Sequence, residues 1–379
     1  MFFITKLSLM QNIIEDMKRD SKKISDEHRI GSSLPNDIVC TTSVVVTPAF
    51  IAVMNNNVNY LTLLGDTTYD LNKSNSDGTT PAFAAADAGN FDCLEILIKA
   101  GCDLDKADRD GVTPAFAAAS GGHIKCLELL RDAGCDLDKS ENNGFTPAWG
   151  AAWKGDVGCI TLLRDAGCDL SKTSNDGATL AYVAAEEGNA ECLAFLGDIG
   201  IDLNNADDNG TSPAYVAAHN GNLECLDILI KAGAGMDVQT NKGYTPAFIA
   251  ALKGNTDCLE LLIKAGCDLN KASDSGNVPS LIAAVKGNKD CLTLLINAGC
   301  DISGPIYDGI TLALAAAMKG NEDCLEIIIQ AGVDIVSPCG QHGTPLEMAI
   351  KSGHIGCARL IRKRIADDDD SGDCDSGDC

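Results

Sequence analysis

The sequence predicts an all-α repeat solenoid, and three series of evenly spaced residues carry that prediction. Proline, glycine and cysteine each recur 33 residues apart over most of the chain. The glycines run from Gly89 to Gly353 and the cysteines from Cys93 to Cys357. A fixed period of this length is typical of arrays in which each unit contacts only its neighbours. The proline series, completed by two leucines, is Pro48, Pro81, Pro114, Pro147, Leu180, Pro213, Pro246, Pro279, Leu312 and Pro345.

Each unit is predicted to be a helical hairpin followed by a loop. In the unit at residues 77–107, Thr80 is placed to cap a first helix and Pro81 to occupy its first turn. Gly89 ends that helix, and Asn90 is placed to cap a second, Leu-rich helix. One such unit has too small an apolar core to be stable alone, so neighbouring units must stack.

The repeated text resembles a known family. G-x-T-P, a short Ala-rich helix, Gly-Asn or Gly-His, a Leu-rich helix and A-G-x-D-L together resemble the ankyrin repeat. The resemblance covers residues 44–365 and implies about ten helix-turn-helix units with short β-hairpin loops and a concave binding groove. Most units here have T-P-A and a large apolar residue where ankyrin units usually have T-P-L-H. That exchange moves side-chain volume to the next position and removes a histidine that the family uses for hydrogen bonds between loops.

Two terminal segments flank the array, whose first and last units deviate from the pattern as caps do. Residues 1–43 are predicted to hold an amphipathic helix, over residues 7–24, and a linker. That helix is interpreted as a cap over the first unit, or alternatively as a binding helix for a partner. Residues 366–379 are rich in aspartate and are expected to be a disordered acidic tail. The tail's doubled SGDC could bind a metal weakly or carry phosphate on Ser371 or Ser376, although a solvated tail is the simpler interpretation.

Charge and composition disfavour several classes of partner. The chain has 29 basic and 54 acidic residues, a formal net charge of −25, which repels nucleic-acid phosphates and anionic lipids. The N-terminal residues lack the pattern of a secretory signal peptide, and no apolar run is long enough to cross a membrane. We therefore expect a monomer that is not secreted and that resides in the cytoplasm or the nucleus.

The cysteines are interpreted as packing residues in a reducing compartment. Within one unit, Cys93 and Cys102 lie nine residues apart, separated by a helix that puts them beyond disulfide reach. Equivalent cysteines of neighbouring units are set about 8–10 Å apart by helix packing, whereas a disulfide needs Cα atoms within about 7 Å. Free cysteine also packs as a small hydrophobe. The thiols of the array, including Cys126, Cys159 and Cys258, are expected to stay reduced and to be modified slowly.

No pattern in the sequence indicates catalysis. The chain has five histidines, which are scattered and are not placed with a serine or cysteine as a nucleophile would require. The glycines follow the repeat and end helices, and they form no phosphate-binding loop. We expect no catalytic residue, cofactor or metal site in the array, and a protein that is not an enzyme.

Binding residues in such an array are those that differ between units. Two sets do so: the two residues just before the glycine that ends each first helix, and the residues flanking the glycine before each Thr-Pro. The helix-end set passes from Glu186-Glu187 through His219-Asn220 to three pairs of an apolar residue and a lysine. The candidates are Phe145, Trp153, Lys154, Tyr244, Leu252, Lys253, Val285, Lys286, Ile310, Met318 and Lys319.

These candidates predict a partner segment with acidic and apolar residues. The alternative is that lysine is placed there only because cations are favourable at helix C-termini. The sequence as a whole favours a non-catalytic protein-interaction scaffold or adaptor. An inhibitor that occludes a partner enzyme through the same groove, and a mainly structural spacer, remain open at this point.

Overall fold

The computed structural model of the chain describes residues 38–39, 45–302 and 309–372. The helix expected over residues 7–24 lies outside these residues, as do the tail cysteines Cys374 and Cys379. The described chain divides into two compact units, which meet at Leu180.

The first unit contains a small sheet followed by four helix pairs. Its two strands, β1 (Ile38–Val39) and β2 (Val45–Val46), are antiparallel, with Ile38 opposite Val46. Within each pair the two helices pack together, and each helix also contacts its counterpart in the next pair of the same unit. The helices are α1 (Pro48–Met54), α2 (Val58–Gly65), α3 (Pro81–Asp87), α4 (Phe91–Lys99), α5 (Pro114–Gly121), α6 (Ile124–Asp132), α7 (Pro147–Lys154) and α8 (Val157–Asp165).

The second unit has the same arrangement in six further helix pairs. The first of these pairs begins at Leu180, the residue at the boundary between the units. The predicted all-α repeat solenoid is thereby confirmed. The helices are α9 (Leu180–Glu187), α10 (Ala190–Asp198), α11 (Pro213–Asn220), α12 (Leu223–Lys231), α13 (Pro246–Lys253), α14 (Thr256–Lys264), α15 (Pro279–Lys286), α16 (Lys289–Asn297), α17 (Leu312–Lys319), α18 (Glu322–Gln330), α19 (Pro345–Lys351) and α20 (Ile355–Gly372), with a short 3-10 turn at Gly340–His342.

The first helices begin and end as the sequence predicts. The Thr245 hydroxyl accepts a hydrogen bond from the Phe248 amide at 3.1 Å, with proline in the first turn of α13. Helix α17 has no proline, but Thr311 caps it in the same way. At the other end of α13, Gly254 has a φ of 78°, which is the left-handed conformation that ends a helix at least cost for glycine.

The predicted capping of the second helices by asparagine is wrong for most units. Asn90 occupies the N-cap position of α4 but makes no side-chain capping bond; its amide instead donates to the carbonyl of Val53 in the preceding pair, at 2.8 Å. Asn57, in the first described pair, does cap its own helix. The physical reason is that two bonds compete for the asparagine side chain. The last carbonyls of the preceding first helix have no partner within that helix, and where such a helix lies within reach the asparagine amide donates to one of them instead of capping its own helix.

The loops are hairpins of minimal length. In one of them the Asp108 amide donates to the Val112 carbonyl at 3.0 Å, and the Gly111 amide donates to Asp108 at 3.1 Å. Among the described residues, strands are found only as β1 and β2, so these hairpins close without a ladder. Neighbouring loops are joined by the Asn142 amide, which donates to the Arg109 carbonyl at 3.2 Å. This bond joins loops in a chain that lacks the histidine usual in the family.

The core of each unit is built from small residues on the first helices and leucines on the second. Ala250 and Ala251 of α13, and Leu259 and Leu262 of α14, are all fully buried. Alanine lets the first helices approach closely, and leucine fills the wider space on the second-helix side. Helix α20 continues to Gly372, past the boundary at residue 366 where the acidic tail was expected to begin.

Candidate functional site

Three lysines occupy the same place in three consecutive pairs of the second unit. Lys253, Lys286 and Lys319 are the last residues of α13, α15 and α17, and all three are exposed. We call these three residues the lysine row. Because the three helices pack side by side, the row lies along one edge of the second unit.

The row is held in place by hydrogen bonds that the sequence did not predict. The Asn288 amide donates to the carbonyls of Ala251 and Leu252, at 2.7 and 3.2 Å. Asn321 binds Val285 in the same way at 3.0 Å, and His354 Nε2 donates to Met318 at 3.1 Å. Each bond ties the residue just before a lysine to the next pair. The spacing between the lysines is therefore built into the stack.

Within the part of the chain that the structure describes, the lysine row has no counterion. No carboxylate among the described residues lies within ion-pair distance of any of the three ammonium groups, although acidic residues outnumber basic ones in the chain. Several lysines on the second helices behave differently: Lys99, Lys231 and Lys264 each pair with a carboxylate four residues earlier, and Lys264 lies 2.6 Å from Glu260. Three uncompensated cations in a row form a local positive field in an acidic protein.

An apolar residue accompanies each lysine. Leu252, Val285 and Met318 are half-buried, so part of each side chain faces solvent beside the row. Their backbone carbonyls are the ones bound by the asparagine and histidine donors, which fixes their position as well. The edge thus offers one apolar contact and one cation per pair.

The beginning of the second unit has the opposite charge at the same helix ends. Glu186 is half-buried and Glu187 is exposed at the end of α9. In the next pair, the Asn220 side chain donates to the Glu186 carbonyl at 2.8 Å and lies 2.7 Å from His219 Nδ1. The series of helix ends therefore passes from anionic through neutral to cationic.

Two of the predicted aromatic residues already have a role in the fold. Phe145 packs on Trp149 with 4.0 Å between ring centroids, and Tyr244 stacks on Phe248 at 4.6 Å. Both Phe145 and Tyr244 are half-buried, so each remains partly exposed to solvent. Ile310, before α17, is also half-buried.

The remaining predicted residues lie in the first unit. Trp153 is half-buried and Lys154 is exposed, at the end of α7. The structure thus brings together Leu252, Lys253, Val285, Lys286, Met318 and Lys319, and it leaves Trp153 and Lys154 in a different unit. The asparagine donors behind the row were missed, although their fixed place after each helix-ending glycine was visible in the sequence.

The comparisons with known proteins agree with the helical pairs. A family model described as ankyrin repeats (3 copies) matches residues 34–108, 99–174, 148–240, 215–306 and 281–370. The chain belongs to the ankyrin repeat family. Ankyrin repeats are generally protein-interaction modules, and proteins built from them are typically not enzymes.

One solved structure adds support for the fold alone. The crystal structure of the human ASB11 ankyrin repeat domain is similar to this chain, with a TM-score of 0.55 and 24% sequence identity. The alignment covers 59% of this chain and 99% of that one. No curated protein matches the chain significantly.

Two further features of the described residues bear on the class of protein. No helix there is both long and apolar enough to cross a membrane. The same part of the chain contains no cluster of histidine, cysteine and carboxylate side chains that could hold a metal ion.

The described cysteines at the start of the second helices are buried, as expected for packing residues, whereas Cys102, Cys135, Cys168 and Cys267, which follow those helices, are half-buried. Cys126, Cys159 and Cys258 are free thiols with at most 1% of their surface exposed. Burial raises the pKa of Cys126 and Cys258 to about 11. Burial also raises the pKa of Cys159, with a contribution from Asp156, to about 12. Since the thiolate is the nucleophile, these thiols are expected to react slowly at neutral pH.

Native alkylation of these three cysteines is expected to be slow. With a pKa of about 11, roughly one thiol in a thousand is ionised at pH 8. Labelling with N-ethylmaleimide, followed by peptide mass spectrometry, should show little modification at pH 8 and complete modification in urea. The rate should rise about tenfold per pH unit up to the pKa, as long as the protein stays folded. Rapid labelling of Cys126, Cys159 and Cys258 in the native protein would contradict the assignment as packing residues.

Proposed function

We propose that this protein is a non-catalytic scaffold or adaptor that binds a segment of a partner protein along the lysine row. The partner segment is acidic and contains apolar residues. The protein acts as a monomer in a reducing compartment, the cytoplasm or the nucleus, where its buried thiols persist.

The observation that carries the proposal is the unpaired state of the lysine row. Cations placed on helix ends only for solubility or for the helix dipole would be free to pair with the abundant carboxylates, as the lysines of the second helices do. Instead Lys253, Lys286 and Lys319 stay open to solvent, each beside a partly exposed apolar residue. Such an edge is complementary to an acidic, apolar segment.

The test is a pull-down from an extract of the source cells with two baits. One is the wild-type chain and the other carries Lys253→Glu, Lys286→Glu and Lys319→Glu. We expect the partner to be captured by the wild type and lost from the variant, because three attractions become three repulsions. The activity of a captured enzyme, measured with and without the chain, then separates an adaptor from an inhibitor.

A matched control keeps the change in net charge. Lys231→Glu, Lys264→Glu and Lys363→Glu alter three exposed lysines of the same unit that lie on second helices. This control should capture the partner as the wild type does. If both charge-reversed baits retain the same proteins, the lysine row is not a binding surface and the proposal fails.

A further inference from the structure

The second unit carries an ordered charge series at five equivalent helix ends. From α9 to α17 the last residues of the first helices are Glu187, Asn220, Lys253, Lys286 and Lys319. The order is one anion, one neutral residue and three cations. A ligand that pairs with all of them must carry the reverse order, so the series selects one orientation of the ligand along the unit.

Among the residues that the structure describes, neither end of the series has an ion-pair partner. In the described part of the chain, Glu187 makes no ion pair, as is also true of the lysine row. Asn220 is anchored through its side chain to the carbonyl of Glu186, so it lies between the two charged ends as a fixed neutral position. The five positions therefore form a continuous charge pattern that the described residues leave unpaired.

The spacing of the series matches one type of extended backbone. Packed helices lie about 8–10 Å apart. A polyproline II segment rises about 3.1 Å per residue with three residues per turn, so every third side chain lies on the same face about 9 Å further on. The hydrogen bonds from Asn255, Asn288 and Asn321 hold successive first helices together and maintain this spacing.

The amount of apolar surface distinguishes this ligand from an amphipathic helix. Beside each lysine there is a single half-buried apolar side chain, Leu252, Val285 or Met318. An amphipathic helix presents three to four apolar residues over two turns, about 11 Å, and would leave most of that stripe unburied here. A polyproline II segment presents one residue per turn on a given face, which matches one apolar contact per repeat.

We propose that the ligand is a polyproline II-type segment with three carboxylates, one at every third residue. A cation lies two turns away from the nearest of these carboxylates, on the side opposite the other two. The three carboxylates pair with the lysine row, and the cation pairs with Glu187. The proposal rests on the function proposed above and specifies the ligand of the same edge. The charge order sets the orientation of the charged ends, and either chain direction can meet it.

The experiment uses thirteen-residue synthetic peptides with the full chain. In the first peptide every third position holds a polar residue, and the two positions between polar residues are leucine and proline. The polar residues are lysine at the first position, glutamine at the fourth, and glutamate at the seventh, tenth and thirteenth. A second peptide has the reverse order of residues. One control has the same composition with its three glutamates adjacent, and another is an alanine-based helix with glutamates seven residues apart. Affinities are measured by isothermal titration calorimetry at low salt.

We expect one of the period-three peptides to bind about tenfold more tightly than either control, from three exposed ion pairs acting together. Glu187→Lys should weaken that peptide about threefold, and should have no effect on the same peptide with its lysine replaced by glutamine. Raising the salt to 1 M should remove most of the difference between the peptides. Lys264→Gln, on a second helix, is the control variant and should leave all affinities unchanged.

The outcomes separate this inference from the function on which it rests. Equal or tighter binding of the adjacent-glutamate or helical peptide overturns the period of three. If Glu187→Lys weakens the lysine-containing peptide and its glutamine version equally, the peptide's lysine does not pair with Glu187. If the pull-down shows that capture depends on the lysine row but the titrations show no preference among the peptides, the proposed function is supported and the proposed ligand is wrong. If capture of the partner does not depend on the lysine row, the proposed function and the proposed ligand are both refuted.

Discussion

Replacing Phe248 by alanine is expected to lower the free energy of unfolding by about 3–5 kcal/mol, the largest effect of any single change considered for this protein. Phe248 is 3% exposed, at the position where this chain has a large apolar residue in place of the usual histidine. Its removal leaves a cavity between stacked first helices, which cannot collapse because alanines already set their closest approach. It also removes the ring on which Tyr244 stacks.

Urea unfolding followed by far-ultraviolet circular dichroism measures this effect. Leu223→Ala is the control, since Leu223 lies on a second helix with 41% of its surface exposed and should change stability by less than about 0.5 kcal/mol. If Phe248→Ala lowers the free energy of unfolding as little as Leu223→Ala does, the large residue after T-P-A does not stabilise the core. Hydrogen exchange of the α13 amides locates the change within the second unit.

Replacing Asn288 by alanine is expected to cost about 1–3 kcal/mol, the second largest effect. The mutation removes the donor to Ala251 and Leu252 and leaves two partly buried helix-end carbonyls without it. Asn288→Asp should cost less than Asn288→Ala, because a carboxylate cannot donate to these carbonyls but can cap α16, as Asp156 caps α8. The measurement is again the free energy of unfolding in urea.

Asn297→Ala is the matched control for the asparagine donor. Asn297 is exposed at the end of α16, and its replacement should be close to neutral. If Asn288→Ala were as stable as the wild type, the role of the amide as a donor would be refuted. A loss with Asn288→Ala would also loosen the lysine row, so partner capture by this variant should weaken without any change of charge.

The prediction of the fold succeeded because its determinants are local and recur. Thr245, Pro246 and Gly254 start and end α13 through bonds and dihedral angles within a few residues of each other. The helix boundaries could therefore be predicted from one unit and checked in the next. The capping assignment of Asn90 failed for the opposite reason: its amide binds a carbonyl 37 residues away, in a competition that only packing decides.

For the candidate site, the sequence alone determined which residues differ between units, and with them the lysines, the apolar residues and the acidic pair at the helix ends. Only the tertiary structure decided that Lys253, Lys286 and Lys319 have no counterion among the described residues. It also decided that Phe145 and Tyr244 pack on neighbouring rings. The physical reason is range: dihedral preferences and caps act within one turn, whereas charge pairing and side-chain packing depend on which repeats are stacked together.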